Sequence, residues 1–136
     1  MNTKTIVNKT ISPEFIEALI EFTEPGNQPL DCAFAADLLA AHAASVNDSG
    51  ALLRFTELSR DGWRELAKNN DSQMASVAMR EYFELTYNAT GTPLVDKAVC
   101  AEALAELYDM TGADFDKAMQ WWRNAARLYK AVLAAQ

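Results

Sequence analysis

The sequence predicts an all-α fold, a single-domain bundle of about six helices ending in a long C-terminal helix. Three observations lead there. Apolar residues recur at spacings of three and four along most of the chain, the step of one helical face. Ala is abundant, whereas Gly (5) and Pro (4) are few and fall largely in short gaps between those stretches, as in helix bundles. No run alternates apolar and polar residues long enough to require a sheet. At 136 residues, the chain is large enough to bury about two-thirds of its unfolded surface without disulfides or metals. The expected division is a flexible or extended arm over 1–11 and one helical domain over 12–136.

Each helix has its own warrant. Ser12 is placed to cap the first, Pro13 suits its first position, and Glu14 favours the positive helix end. Phe15, Ile16, Leu19, Ile20 and Thr23 form one face, centred opposite Glu14, Glu17, Glu21 and Glu24. Turn residues from Glu24 to Gln28 stop that helix, and Pro29 opens a second that runs to Ser45. It carries Leu30, Phe34, Leu38 and Leu39 among seven alanines, which places it in the middle of the bundle, because small side chains let a neighbour approach closely. Val46 to Gly50 reads as a loop. The third helix, about Ala51 to Lys68, keeps its apolar phase (Leu52, Phe55, Ser59, Gly62, Trp63, Leu66) through Gly62, although Gly costs about 1 kcal/mol relative to Ala. Its outer face alternates in charge and can pair with itself.

Asp71 is the expected cap of a fourth helix over Ser72 to Tyr87, burying Ala75, Ala78, Met79, Tyr82 and Phe83 or Thr86. Gly91 supplies a left-handed backbone, and Thr92 caps a fifth helix over Pro93 to Met110 that is apolar around most of its circumference and the most buried of the set. The last helix spans Asp114 to Gln136. Phe115, Ala118, Met119, Trp122, Ala125, Ala126, Tyr129 and Leu133 form its inner face, backed by a basic strip of Lys117, Arg123, Arg127 and Lys130.

Charge is more informative than size. The formal net charge is −7, and between Lys9 and Arg54 there is no Lys or Arg, while Glu14, Glu17, Glu21, Glu24, Asp31, Asp37 and Asp48 supply seven acids. The flanks nearly cancel, so the net charge belongs to the first third of the chain. Such a chain repels polyanions, which argues against direct nucleic-acid binding. The first eleven residues lack the apolar core of a secretory leader, and no apolar run approaches the ~18 to 20 residues of a membrane span. A cytoplasmic protein is expected, with Cys32 and Cys100 as buried, reduced thiols.

Catalytic chemistry finds no foothold. His42 is the only histidine, so neither a zinc site nor a ferritin-like di-metal site can be written, and no phosphate-binding glycine loop occurs. We therefore expect no enzyme and no cofactor. The distinctive local feature is the carboxylate stripe Glu14, Glu17, Glu21 and Glu24, with axial steps of about 4.5, 6 and 4.5 Å and Asp31 further along the same cation-free segment. It reads either as a docking face for a positively charged protein or ribonucleoprotein, in place of nucleic acid, or as an ordinary solvated face. Trp121 and Leu128 share the flank beside the inner face of the last helix, where they are either covered by another helix or exposed as an apolar anchor. A monomer or homodimer is compatible with both.

In size, acidity and absence of catalytic motifs the chain resembles the small acidic helical inhibitors encoded by phages and plasmids, anti-CRISPR proteins among them. The resemblance is one of general profile, with no residue motif behind it. It implies stoichiometric blockade or disassembly of a CRISPR effector complex. The alternative from another class is a structural or assembly subunit of a homo-oligomer or of a phage or plasmid particle.

Overall fold

The computed structural model describes residues 11–69, 77–111 and 114–135. Among these, six helices and no strand are found: α1 (Pro13–Thr23), α2 (Pro29–Ser45), α3 (Ser49–Asn69), α4 (Val77–Asn88), α5 (Leu94–Thr111) and α6 (Phe115–Ala134). The all-α class is as the sequence predicts, and α6 is the expected long C-terminal helix, at 20 residues. The helices fall into two compact units, α1 to α3 within Ser12–Ser76 and α4 to α6 within Val77–Gln136. The expected N-terminal arm, apart from Ile11, and the roles expected of Asp71 and Ala75 lie outside the described residues.

In the first unit α2 packs against both α1 and α3. Helix α1 starts where Ser12 Oγ accepts from the Phe15 amide at 3.4 Å. It ends where Asn27 Nδ2 donates to the Glu21 and Glu24 carbonyls, each at 2.8 Å, satisfying acceptors the helix itself leaves open. Its buried side chains are Phe15 and Leu19, with Phe22 half-buried and Ile20 exposed, so the inner face is turned slightly toward Phe22 from the one read off the sequence. Helix α3 begins two residues earlier than expected, because Asp48 Oδ1 accepts from the Ala51 amide at 3.1 Å and so draws Ser49 and Gly50 into the helix.

The seam between α2 and α3 is narrow. At Gly62 the α3 backbone passes so close to Ala33 that an added Cβ would stand 2.8 Å from the Ala33 Cβ. One turn along α2, the Asp37 carboxylate receives two donors from α3, the Ser59 hydroxyl on Oδ1 and the Trp63 indole on Oδ2 at 3.0 Å. Ser59 is buried, so its hydroxyl needs this partner. Asp37→Ala is expected to cost about 1 to 3 kcal/mol, chiefly through the buried Ser59 hydroxyl left without its acceptor, measured by urea denaturation, with Asp37→Asn losing less because one acceptor survives.

In the second unit α5 packs against both α4 and α6 and is the most deeply buried element of the unit, with Ala98, Cys100, Ala101, Ala103, Leu104, Ala105, Leu107 and Tyr108 all in the interior. Thr92 departs from its expected part. Its hydroxyl donates to the Thr86 carbonyl at 2.7 Å and the Ala89 carbonyl at 3.1 Å, closing the end of α4, while Gly91 takes the left-handed conformation expected of it (φ 85°). Asp114 caps α6 by accepting from the Lys117 amide at 3.0 Å.

The inner face of α6 shares Ala118 and Ala125 with the expected one, and Tyr129 also packs on the core, but it is turned toward Trp121, Leu128 and Val132. Its buried residues are Ala118, Ala125, Leu128 and Val132, with half-buried Trp121 on the same line, whereas Phe115 is 68% exposed and Leu133 36% exposed. Both lines advance by threes and fours, so spacing alone does not separate them. The line used sets Ala125 and Leu128 into one cluster with Ala98 and Ala101 of α5, where small side chains allow close approach of the two helices.

Candidate functional site

Glu14, Glu17 and Glu21 of α1 are exposed to solvent on the side away from Phe15 and Leu19. Glu24, expected to complete the row, is exposed as well but has left the helix, standing at its C-cap with extended backbone (φ −75°, ψ 158°) because Pro25 follows it. The four side chains have no ion-pair partner among the described residues, where the one ion pair found is Arg60 with its neighbour Asp61 at 3.4 Å. Like charges at Glu14, Glu17 and Glu21 disfavour the helix by a few tenths of a kcal/mol per pair. The cap at Ser12, the closure at Asn27 and the buried Phe15 and Leu19 hold α1 despite that repulsion. The first unit therefore carries a row of three un-neutralised carboxylates on a helix fixed at both ends, with a fourth, Glu24, at the cap beyond it.

Asp31 does not extend this row outward. It is 2% exposed, in the first turn of α2, where a carboxylate is stabilised by the positive helix end. Burial, and secondarily the charge of Asp31, raises the pKa of the adjacent Cys32 thiol, which keeps it protonated and unreactive. Cys100 is pushed up further, by burial first and Asp96 second. Neither cysteine is in a disulfide.

Trp121 and Leu128 are likewise not an exposed anchor. Leu128 is 6% exposed, and Trp121 packs against the Ala98, Ala101, Ala125 and Leu128 cluster together with Tyr87. The Tyr87 and Trp121 rings meet edge to face at 4.9 Å, a favoured aromatic geometry. Of the two readings the sequence left open, the flank is covered, by α4 and α5. Apolar exposure on this unit lies elsewhere, at Phe115 of α6 and at Val77 (59%) and Leu85 (70%), about two turns apart on α4.

The basic strip on α6 also finds no carboxylate within ion-pair distance among the described residues. Arg127 Nη2 instead donates to the Tyr87 hydroxyl at 3.4 Å, and the Lys117 ammonium lies 5.4 Å over the Tyr108 ring. Acidic groups of α4 and α5 are occupied by phenols. Tyr108 donates to Glu84 Oε1 at 3.2 Å, and Tyr129 donates to Glu102 Oε1 at 2.9 Å. Burial, and then the Glu102 charge, raises the Tyr129 pKa, so this phenol stays a donor. Between α4, α5 and α6 these groups border a cleft of about 240 Å³, lined by Glu84, Tyr108, Lys117 and Trp121 with carboxamides from both α4 and α6. Sequence reasoning missed it, because its charged walls stand 33 positions apart with no local pattern linking them.

His42 is half-buried on α2, and among the described residues no three His, Cys, Asp or Glu side chains are grouped to hold a metal ion. No helix among them is long and apolar enough to cross a membrane. No protein-family model, curated protein or solved structure matches the chain.

Proposed function

We propose that this protein is a non-enzymatic binding module, an inhibitor that seats the acidic face of α1 in the positively charged groove of a nucleic-acid-handling complex, with CRISPR effector ribonucleoproteins as the partner class. The observation that carries the reading is the row of exposed carboxylates at Glu14, Glu17, Glu21 and Glu24, none paired with a described Lys or Arg. Along α1 the steps from Glu14 to Glu17 and on to Glu21, about 4.5 and 6 Å, are similar in scale to the phosphate spacing along a nucleic-acid strand. A fixed row of this kind meets a phosphate-binding groove without first breaking internal ion pairs, and its field speeds encounter.

The test changes all four to Gln. Thermal stability is expected to hold or rise as the repulsion disappears. Association with a purified CRISPR effector ribonucleoprotein, followed by surface plasmon resonance, is expected to slow at least tenfold, and the wild-type rate to fall steeply with salt. Capture unchanged by the four substitutions would reduce the stripe to a solvated face. A second reading, an assembly subunit, draws on the exposed Val77 and Leu85 of α4. Association through such a face would be insensitive to salt and to the glutamates, and would be weakened by Leu85→Ser.

A further inference from the structure

The cleft of the second unit has a chemistry that the acidic face of α1 does not use. Tyr108 lines it, is buried, and has a negative group at its hydroxyl and a positive one over its ring. The hydroxyl donates to Glu84 Oε1 at 3.2 Å, while the ring carries the Lys117 ammonium at 5.4 Å from its centre. Glu84 and Lys117 form no ion pair with each other or with any described residue, so each keeps hydrogen-bonding capacity toward the cleft. Around them stand neutral carboxamides, Asn88 on α4 and Gln120 and Asn124 on α6. Asn88 spends its Nδ2 on the Glu84 carbonyl at 2.9 Å, which leaves its oxygen as an acceptor. Trp121 forms an apolar wall, braced by Tyr87.

We propose that this cleft binds a small zwitterion of the α-amino-acid class, its ammonium toward Glu84 and Asn88 and its carboxylate toward Lys117 and the amides of Gln120 and Asn124. A ligand bearing only one charge would satisfy one wall and desolvate the other. The ammonium and carboxylate of an amino acid lie about 3 Å apart, and with charge-assisted hydrogen bonds of about 2.8 Å at each end the two protein charges must stand roughly 8 to 9 Å apart. One phenol ring with a carboxylate beyond its hydroxyl and an ammonium above its face sets a separation of that order. The cleft is smaller than the pockets of drug-sized ligands, which begin near 300 Å³, and this limits the side chain to a short one beside the indole.

Titration with L-alanine, followed by ¹H–¹⁵N spectra, tests the assignment. The side-chain amides of Asn88, Gln120 and Asn124 and the Trp121 indole are expected to shift together and saturate. L-Alaninamide, which lacks the carboxylate, and N-acetyl-L-alanine, which lacks the ammonium, are expected to bind at least tenfold more weakly. Lys117→Met and Glu84→Gln should each weaken L-alanine binding about tenfold with an unchanged melting temperature, since Gln still accepts from Tyr108. Absence of any shift at the solubility limit of L-alanine, or equal shifts with all three compounds, would overturn the proposal.

Discussion

Gly62→Ala is expected to destabilise the first unit by about 1 to 3 kcal/mol, the reverse of what the substitution does in an ordinary helix. In an exposed helix interior the same change gains roughly 1 kcal/mol. Here the new methyl carbon would lie 2.8 Å from the Ala33 Cβ, 3.1 Å from its Cα and 3.3 Å from its amide nitrogen. Two of those three atoms are backbone, so no rotamer change relieves the contact, and α2 must move away from α3. That movement also stretches the bonds from Ser59 and Trp63 to Asp37. Urea denaturation reads the loss directly. Adding Ala33→Gly should return part of it, because the nearest contact disappears while the Cα and nitrogen contacts remain, and the double-mutant cycle gives the coupling. A Gly62→Ala protein more stable than the parent would mean that the two helices do not pack this closely.

The largest expected loss comes from Phe83→Ala, about 3 to 5 kcal/mol. Helix α4 has 12 residues, and Met79 and Phe83 are its buried side chains, both with no exposed surface. A helix of that length is marginal by itself in water, so its place depends on burying these two groups. Deleting the ring removes the transfer free energy of a large side chain and leaves a cavity in its place. Against a typical total of 5 to 15 kcal/mol, such a loss should be visible as a lower denaturation midpoint and as faster amide exchange along α4. Phe83→Leu, which keeps the site apolar and fills much of it, should lose clearly less. Equal exchange in α4 for Phe83→Ala and the parent would show that other contacts hold it.

How much of this was legible in the sequence depended on the range of the cause. Caps and turns act over three or four residues, so Ser12, Gly91 and the passage of α3 through Gly62 could be read directly. Thr92 was readable as a terminus residue but not by direction, since a hydroxyl that can cap forward can also donate backward to Thr86 and Ala89. The inner face of α6 is legible only in part, at Ala118 and Ala125, because two lines that share these residues, one through Phe115 and Leu133 and one through Leu128 and Val132, satisfy the same spacing. Only the small residues of α5 decide between them, and spacing within one helix does not encode its neighbour. For the same reason the sequence could not show that Asp37 clamps Ser59 and Trp63, 22 and 26 positions away, or that Leu128 and Asp31 are interior. The exposed glutamates of α1 were legible because a face that lacks apolar residues has nothing to bury.

The placement of the indoles has a practical consequence. Trp63 sits in the first unit, tied to an aspartate, whereas Trp121 and Trp122 belong to the second, one of them against a tyrosine. Quenching by the carboxylate and by the phenol should give the units different emission. A variant with Trp63 alone, or with Trp121 alone, turns each half of the chain into its own fluorescent reporter, so that melting of one can be timed separately from melting of the other.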